Sequence, residues 1–562
     1  MRSIEIPQPS DRDWRYRAFE VLPGALTWLI LTLPAILGYL SPRVAAFFII
    51  AYLLLWFTRA IALNIRSLQG WRVMRQHKNT EWGKLNKDLE ILWPKTPDAP
   101  KWHAINLERV KRNMLHSRIK PSEVIHVVIV AAYNESRDVI EPTLKAIGAS
   151  NYDFKKLILL LAYEQRGGPE VEQTAQALVA QYGPKFFYAE AVMHPDNLPG
   201  EVRGKGGNIT YAARGAQKFL EDKAIDPLKV LVTTLDADNR PDKQYFAALT
   251  YTYCSTEEPR YASYQPIPMF LNNIWDAPAP MRVIATGNSF WMLVQSMRPH
   301  SLRNFSAHAQ PMAALIDTDF WSVRTIVEDG HQYWRTYFRY DGRHEVYPIF
   351  VPVYQDAVLA SSYRKTLKAQ FIQLRRWAWG ASDISYVAYM GFMRKNNIPR
   401  HKLMAKFLRL LEGHVSWSTA PLILALAALV PFFLNPESYL ANQLPQVASR
   451  LQTVAMAGIL VTLYLSMRNL PPKPERYRKH RTVWMMLQWI YLPVTSIVFS
   501  ASAAIYSQTR LMLGLYLGTF DVTEKAVKKD KVILRDAVKG APPHSVTRLA
   551  GLAALVRRRR RN

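Results

Sequence analysis

Two apolar runs near the amino end constrain this chain more than any other feature. Residues 22–40 carry no charge, and after Ser41-Pro42-Arg43 a second run, 44–63, carries only Arg59. Each has about 20 residues, the length an α-helix needs to cross roughly 30 Å of hydrocarbon. A cleavable signal peptide has a shorter apolar core and no second run behind it. The pair therefore predicts a transmembrane hairpin over 22–63, after a cytoplasmic N-terminus of residues 1–21. Apolarity returns in 417–434, 452–467 and 484–506, within a C-terminal transmembrane region of 414–510. Between the two ends the composition is that of a soluble domain.

The chain average hides this division. With 49% apolar residues and a mean hydropathy of −0.11, the 562 residues are neither a disordered chain nor an all-membrane transporter. Cys254 is the one cysteine, which excludes intrachain disulfides and multi-cysteine metal sites and fits a reducing compartment. Lys and Arg number 72 against 44 Asp and Glu, a formal charge of +28. Such an excess implies a polyanionic partner: nucleic acid, an anionic membrane face or a phosphorylated substrate. The basic residues gather in KPERYRKHR (473–481), in 525–539 and in 557–561. Lys and Arg beside apolar spans mark the cytoplasmic side, and no nucleic-acid module accompanies them. The membrane is therefore the expected polyanion, and no nucleic-acid partner is expected. Three full C-terminal crossings would put the basic tail outside, against the charge bias. Segment 484–506, interrupted by Pro493, is the candidate for a re-entrant or interfacial element.

From Glu123 the pattern changes. EVIHVVIVAAY (123–133) is a β-branched run that ends in the turn-prone Asn134-Glu135-Ser136. A helical segment follows, then KKLILLLAY (155–163), a helix over 170–182, KFFYAEAVM (185–193), a helix over 208–221 and KVLVTTL (229–235). Strands alternating with helices of this length predict an α/β fold with a mostly parallel sheet. Ligands bind beyond the carboxyl ends of such strands, which here hold Tyr133-Asn134-Glu135, Tyr163-Glu164 and Asp236-Ala237-Asp238. Residues 64–122 form an amphipathic linker. KLMAKFLRLLEG (402–413) sets apolar residues at helical spacing between basic ones, which predicts interfacial helices over 386–413.

Four clusters carry chemistry, each with a plainer alternative. In LDADNRPD, Asp236 and Asp238 repel each other at a turn unless a cation neutralises them. Mg2+ or Mn2+, which take oxygen ligands and bridge to phosphate, suit that position; the alternative is a polar turn. GEVRGKGGN (200–208) sets Arg203 and Lys205 among glycines before a helix, an arrangement that favours phosphate, or a flexible basic loop. VEDGHQYW (327–334) offers Glu328 and Asp329 as a general base, or as a solvated acidic pair. QLRRWAWG (373–380) supplies Gln373, an arginine fork for phosphate in Arg376 and a flat stacking face in Trp377. An amphipathic helix at a membrane surface would carry the same residue types. Trp275, Trp291 and Trp321 are either a glycan path or core packing.

In order and spacing, YNE, KGGN, DAD, ED and Q-x-x-R-W between apolar flanks resemble the membrane-integrated family 2 glycosyltransferases, among them the cellulose, chitin and hyaluronan synthases. The resemblance covers residues 124–380 and FDVTEK (520–525), which is similar to the F-x-V-T-x-K gating loop of cellulose synthases. It implies a GT-A (Rossmann-like) domain over 123–385, flanked by transmembrane α-helices, and an inverting, metal-dependent transferase using Mg2+ or Mn2+. Under the resemblance Asn134, Glu135, Lys205, Asn208, Asp236, Gln373 and Arg376 would bind the nucleotide-sugar, and Asp238 with Asp236 would hold the metal. Asp329, beside Glu328, would be the base, Trp377 would stack the acceptor, and Phe520, Val522, Thr523 and Lys525 would close over the donor within 511–562. Glu164 stands where the family has an aspartate that reads uracil, so a UDP-linked donor rests on that substitution. Val327 replaces a usual threonine, and 305–321 lacks the F-C-G-S/T type of segment. The implied product is a growing polysaccharide, with export through the spans or with an oligomer or export partner. Transfer of one sugar to a lipid or short glycan acceptor is the alternative, and a non-catalytic membrane scaffold or channel is the minor one.

Overall fold

The computed structural model describes residues 3–114, 118–478, 480–518 and 525–526. Its centre is an eight-stranded sheet: β1 (Ile125–Ala132), β2 (Leu157–Glu164), β3 (Tyr188–His194), β4 (Val230–Asp236), β5 (Arg240–Pro241), β6 (Ala262–Met269), β7 (Ala309–Pro311) and β8 (Glu345–Tyr354), in the order 3-2-1-4-7-6-8-5. The first half is parallel, as the alternating pattern predicts. Its strands read as unbroken apolar runs because both faces are covered. Val128, Val130, Leu159 and Leu161 enter one core with helices Arg137–Ile147, Pro169–Tyr182 and Tyr245–Cys254. Val127, Ile129, Ile158 and Leu160 point to the other face, against helix Lys205–Asp222, the two-residue alternation of a strand.

The expected mostly parallel sheet is found, with short antiparallel pairings added: four of the seven strand pairs, including every long one, are parallel. β7 runs antiparallel to both β4 and β6, and β5 runs antiparallel to β8. Only the β6–β8 pair is parallel in that half. The physical reason is local. β7 is only three residues long, and the chain that leads into it from helix Ala279–Ser296 runs beside β4 in the opposite direction.

Four helical stretches are long and apolar enough to cross a membrane: Trp14–Leu40, Pro42–Lys78, Tyr439–Asn469 and Arg481–Met512. The expected run 417–434 is not among them; it is shared between helix Arg400–Leu426 and the short helix Leu429–Leu434. The interfacial segment 402–413 is the first half of the same Arg400–Leu426 helix, not a separate element. Its Leu403, Phe407 and Leu410 are buried against Tyr333, Trp334 and Tyr337 of the α/β domain. The expected boundary at 385 falls inside helix Ser382–Ala388.

Contacts locate the ends of these helices. Asn435 Nδ2 donates to Gly38 O at 2.9 Å, so residue 435 lies beside the far end of the first helix. Stretch Arg481–Met512 touches the domain instead: Arg481 donates to Trp275 O at 2.9 Å, and Ser507 Oγ donates to Arg375 O at 2.8 Å. Along it Trp484, Leu487, Tyr491, Val494 and Val498 are exposed, while Met485, Gln488, Trp489 and Thr495 are buried. Thr27, Ser418 and Gln508 form a buried polar seam, Thr27 Oγ1 lying 2.7 Å from Ser418 Oγ and 2.7 Å from Gln508 Oε1. The amino-terminal segment also packs on the domain, with Ile6 buried and Tyr386 donating to Ile4 O at 2.6 Å. Because Leu403 is fully buried where helix Arg400–Leu426 meets the domain, Leu403→Ala is expected to cost about 2–5 kcal/mol. Thermal unfolding of the detergent-solubilised protein measures this, and an unchanged midpoint would contradict it.

Candidate active site

The parallel register brings the ends of three strands together. Ala132 of β1 pairs with Tyr163 of β2, and Ala131 pairs with Asp236 of β4. Tyr133, Glu135, Glu164 and Asp236 therefore rim one cavity, joined by Lys205, Asn208, Asp238, Glu328, Asp329, Asp356, Gln373, Arg376, Trp377 and Lys525. Of the residues singled out from sequence, Asn134 is exposed and does not line this cavity. Phe520, Val522 and Thr523 lie outside the described residues, as do segments 527–539 and 557–561. Arg203 is turned away, donating to Asn197 Oδ1 at 2.5 Å.

Asp236 ends β4 as an ion-pair partner. Lys205 Nζ sits 2.7 Å from its Oδ1, and Ser306 Oγ donates to its Oδ2 at 2.6 Å. Burial opposes its charge, but Lys205 and Lys525 outweigh burial and hold its carboxyl well below the usual range. Lys205 is buried as well, and Asp236, Glu328 and Asp329 keep its pKa above the ordinary lysine value. Gly206 permits this approach: a Cβ there would lie 2.5 Å from Ser322 O and 3.2 Å from Glu328 Cβ. Asn208 is buried, and its Nδ2 donates to Ala132 O and Ala162 O at 3.3 and 3.0 Å, which clamps the ends of β1 and β2.

Asp238 is held from two sides. Its Oδ1 is 2.9 Å from Lys525 Nζ, and its Oδ2 accepts from the Asp356 N–H at 3.0 Å. Lys525 also approaches Glu135 Oε1 at 3.7 Å, while Ala526 N–H donates to Leu359 O at 2.8 Å. This short bridge seats the lysine in the cavity. Burial and the Asp238 charge push Asp356 up to about 7, and its Oδ1 is buried without a hydrogen-bond partner among the described residues. Among those residues no three His, Cys, Asp or Glu side chains form a metal cage.

On the opposite wall, helix Glu328–Arg339 opens with the acidic pair. Glu328 is buried, and burial with the Asp329 charge pushes its carboxyl up to about 8. Burial raises Asp329 too, against the pull of Lys205 and the Gly330 N–H, which donates to its Oδ1 at 2.7 Å. Helix Tyr363–Ala378 brings Gln373, Arg376 and Trp377 to the same cavity, and the Trp377 ring centroid lies 6.2 Å from that of Phe270. Glu164 pairs with Arg166, whose guanidinium lies 4.3 Å from the Tyr133 ring centroid. Trp321 is core, donating to His308 at 3.0 Å, and Trp275 donates to Pro471 O, whereas Trp291 is exposed.

Sequence reasoning missed Asp356, Ser306 and Arg166, whereas Tyr133 was among the strand-end residues it singled out. Ser306 lies in the 305–321 segment already singled out, but Asp356 belongs to no motif and reaches the site only because β8 ends beside the turn after β4.

No protein-family model matches this chain, and no curated protein does. Solved structures that align with it include a mannosyltransferase from Pyrobaculum calidifontis in complex with GDP-Man and Mn2+, at 15% identity over 78% of this chain and 98% of that one, with a TM-score of 0.40. Residues 1–349 of TarS from S. aureus, in complex with UDP-GlcNAc, align at 14% identity over 70% of this chain and 93% of that one, with a TM-score of 0.33.

The raised Glu328 carboxyl makes stability depend on pH. The folded state keeps this proton up to about 8, whereas the unfolded chain loses it near the ordinary glutamate value of 4.5. Stability drawn from it is complete below the unfolded value and is lost as pH rises through the folded one. Glu328→Gln is expected to flatten the fall in thermal stability across that window, and retention of the full wild-type slope would contradict the assignment.

Proposed function

We propose that the protein is an inverting glycosyltransferase that moves a sugar from a nucleotide-sugar, UDP-linked in our reading, to a growing glycan at a membrane face. The observation that carries this is the cavity's lining: seven carboxyl groups, Glu328 and Asp356 shifted toward their protonated forms and Glu164 paired with Arg166, share it with Lys205, Arg376 and Lys525. A diphosphate entering alone would be repelled, whereas one that arrives with a divalent cation would be accepted. Asp238 and Asp356, with the unpartnered Oδ1 of the latter, suit a hard cation of the Mg2+ or Mn2+ type that takes its other ligands from phosphate and water. Such an ion would neutralise charge on the leaving diphosphate. Asp236 and Asp238 are both engaged without the ion, Asp236 by Lys205 and Ser306 and Asp238 by Lys525 and the Asp356 N–H, so the ion would take the place of a lysine.

This chain's own residues supply the rest. Arg376 and Gln373 would face the diphosphate, Tyr133 and Glu164, braced by Arg166, would face the base, and Trp377 would offer its ring to the acceptor sugar. The acceptor oxygen attacks the anomeric carbon while the bond to the diphosphate oxygen breaks on the opposite side. Its proton passes to the Asp329 carboxylate, whose raised pKa improves it as a base, and the nucleoside diphosphate leaves with the bonding electrons. One such displacement inverts the anomeric centre. Lys525 occupies the Asp238 side without donor and would turn to phosphate when donor binds.

For the membrane we infer that Trp14–Leu40, Pro42–Lys78, residues 400–434 and Tyr439–Asn469 cross, because residue 435 meets Gly38. Arg481–Met512 then lies along the domain, with one face buried on protein and an apolar face toward lipid. That arrangement returns the basic tail to the domain's side, as the charge bias requires.

Purified protein with Mn2+ is expected to release nucleoside diphosphate from at least one nucleotide-sugar in a panel. Asp329→Asn should lower that rate at least about 10²-fold with donor affinity nearly unchanged, and near-normal turnover in the variant would overturn the assignment of the base. For topology, single cysteines at Glu437 and Glu475 are expected to react with impermeant maleimide from opposite faces of sealed vesicles. Labelling of both from one face would refute the crossing by 439–469.

A further inference from the structure

Away from the cavity, a second concentration of charge gathers where the domain meets the apolar helices. Arg59 Nη1 pairs with Glu412 Oε1 at 2.6 Å, which sets helix Pro42–Asn79 beside helix Arg400–Leu426. One turn from Glu412 on the same helix face stands Arg409, and one turn further Lys406, whose Nζ donates to Tyr333 OH at 2.6 Å. On the other helix, Gly70 is packed against Leu293 and Met297. That contact places Arg66, one turn earlier, beside the segment that carries Arg298, His300 and Arg303. Leu302 of that segment is buried in the same core as Phe407 and Leu410, so the three pieces converge.

Six Lys and Arg side chains thus face one another. The carboxylates near them are Glu412, already paired with Arg59, Glu345 toward Lys406 and Asp383 toward Arg303. Arg298 Nε is buried without a hydrogen-bond partner among the described residues. Burial, and then the charges of Arg66, Arg409 and Arg59, hold Arg298 below the usual arginine value, and burial with Arg409 and Arg298 lowers His300. Like charges packed this closely are expensive unless an anion joins them. Around the cluster Ile61, Ile65, Met404 and Leu408 are exposed apolar side chains.

We propose that this cluster is a binding site for the phosphate headgroup of a membrane lipid, with the arginines holding the phosphate oxygens and the exposed apolar side chains meeting the acyl chains. The flanking apolar side chains favour a lipid over a free phosphate, which would leave them in water. Arg303 stands three residues before Ser306, so its backbone lies within about 11 Å of the rim of the catalytic cavity. The site does not depend on the transferase chemistry.

The test uses full-length protein in nanodiscs of phosphatidylcholine with or without phosphatidic acid, read by native mass spectrometry for retained lipid. Inorganic diphosphate is the soluble competitor. Wild type is expected to retain phosphatidic acid selectively, and Arg298→Gln/Arg409→Gln should reduce retention at least about tenfold. Arg66→Gln, on a different element, should weaken it in the same direction and serves if the double variant does not fold. Equal retention by wild type and variants would overturn the site, and so would capture of inorganic diphosphate without any preference for phosphatidic acid.

Discussion

Buried charge that cannot be satisfied within the protein is the constraint on which the rest of this structure depends. The cavity gathers Glu135, Glu164, Asp236, Asp238, Glu328, Asp329 and Asp356 against Lys205, Arg376 and Lys525. Removing a carboxylate from water costs several kcal/mol unless it is paired. The structure meets that cost in two ways. Asp236 and Asp238 take lysines as direct partners, and Glu328 and Asp356 shift toward their protonated forms. Two lysines therefore hold Asp236 and Asp238, two protons hold Glu328 and Asp356, and Glu164 is paired with Arg166. Both kinds of occupant are exchangeable, which is what a site for an incoming cation and phosphate requires.

The helices that reach toward the membrane maintain this arrangement. Helix Tyr363–Ala378 carries Arg376 and Trp377 on its cavity side, and on its other side Arg375 and Phe371 rest on Tyr506. Ser507 donates to Arg375 O, and the next residue, Gln508, joins Thr27 and the His414 carbonyl in the polar seam. Hydrogen bonds between helices in an apolar setting fix their register, because the unpaired alternative is costly. The position of the guanidinium that would meet a diphosphate is thus tied, through two helices, to the first apolar helix of the chain.

Much of this was legible in the sequence, for physical reasons that can be named. β1 and β2 are read easily because burial on both faces demands unbroken apolar runs, and their shared register places Glu135, Glu164 and Asp236 at one edge. The acidic pair at 328–329 and the Q-x-x-R-W segment reach the same cavity as the DAD turn. What stayed hidden depends on chain segments far apart in sequence. The antiparallel β7 is three residues with no periodicity to detect. Asp356 looks like any polar residue until β8 pairs with β5 and delivers it to Asp238. Asn208 and Asp236 were read by residue type as ligand groups, and both line the cavity; Asn208 Nδ2 also clamps two strand carbonyls while its buried Oδ1 has no partner among the described residues, and Asp236 pairs with Lys205. Helix Arg400–Leu426 escaped division into an interfacial and an apolar part because its core contacts and its apolar run share one continuous backbone.

The formal charge of +28 and the acidic cavity then have complementary roles. Under the proposed function, a basic surface would draw an anionic sugar nucleotide from solution over tens of ångströms at low salt. A pocket lined by seven carboxyl groups would favour the same anion when a cation accompanies it. Attraction at long range and selection at short range would then make the cation complex, rather than the bare nucleotide, the species that fits. Lys525, which pairs with Asp238, would be replaced there by the incoming positive charge. A basic exterior around an acidic pocket would thereby give metal dependence a physical origin in charge balance, independent of any preformed cage of protein ligands.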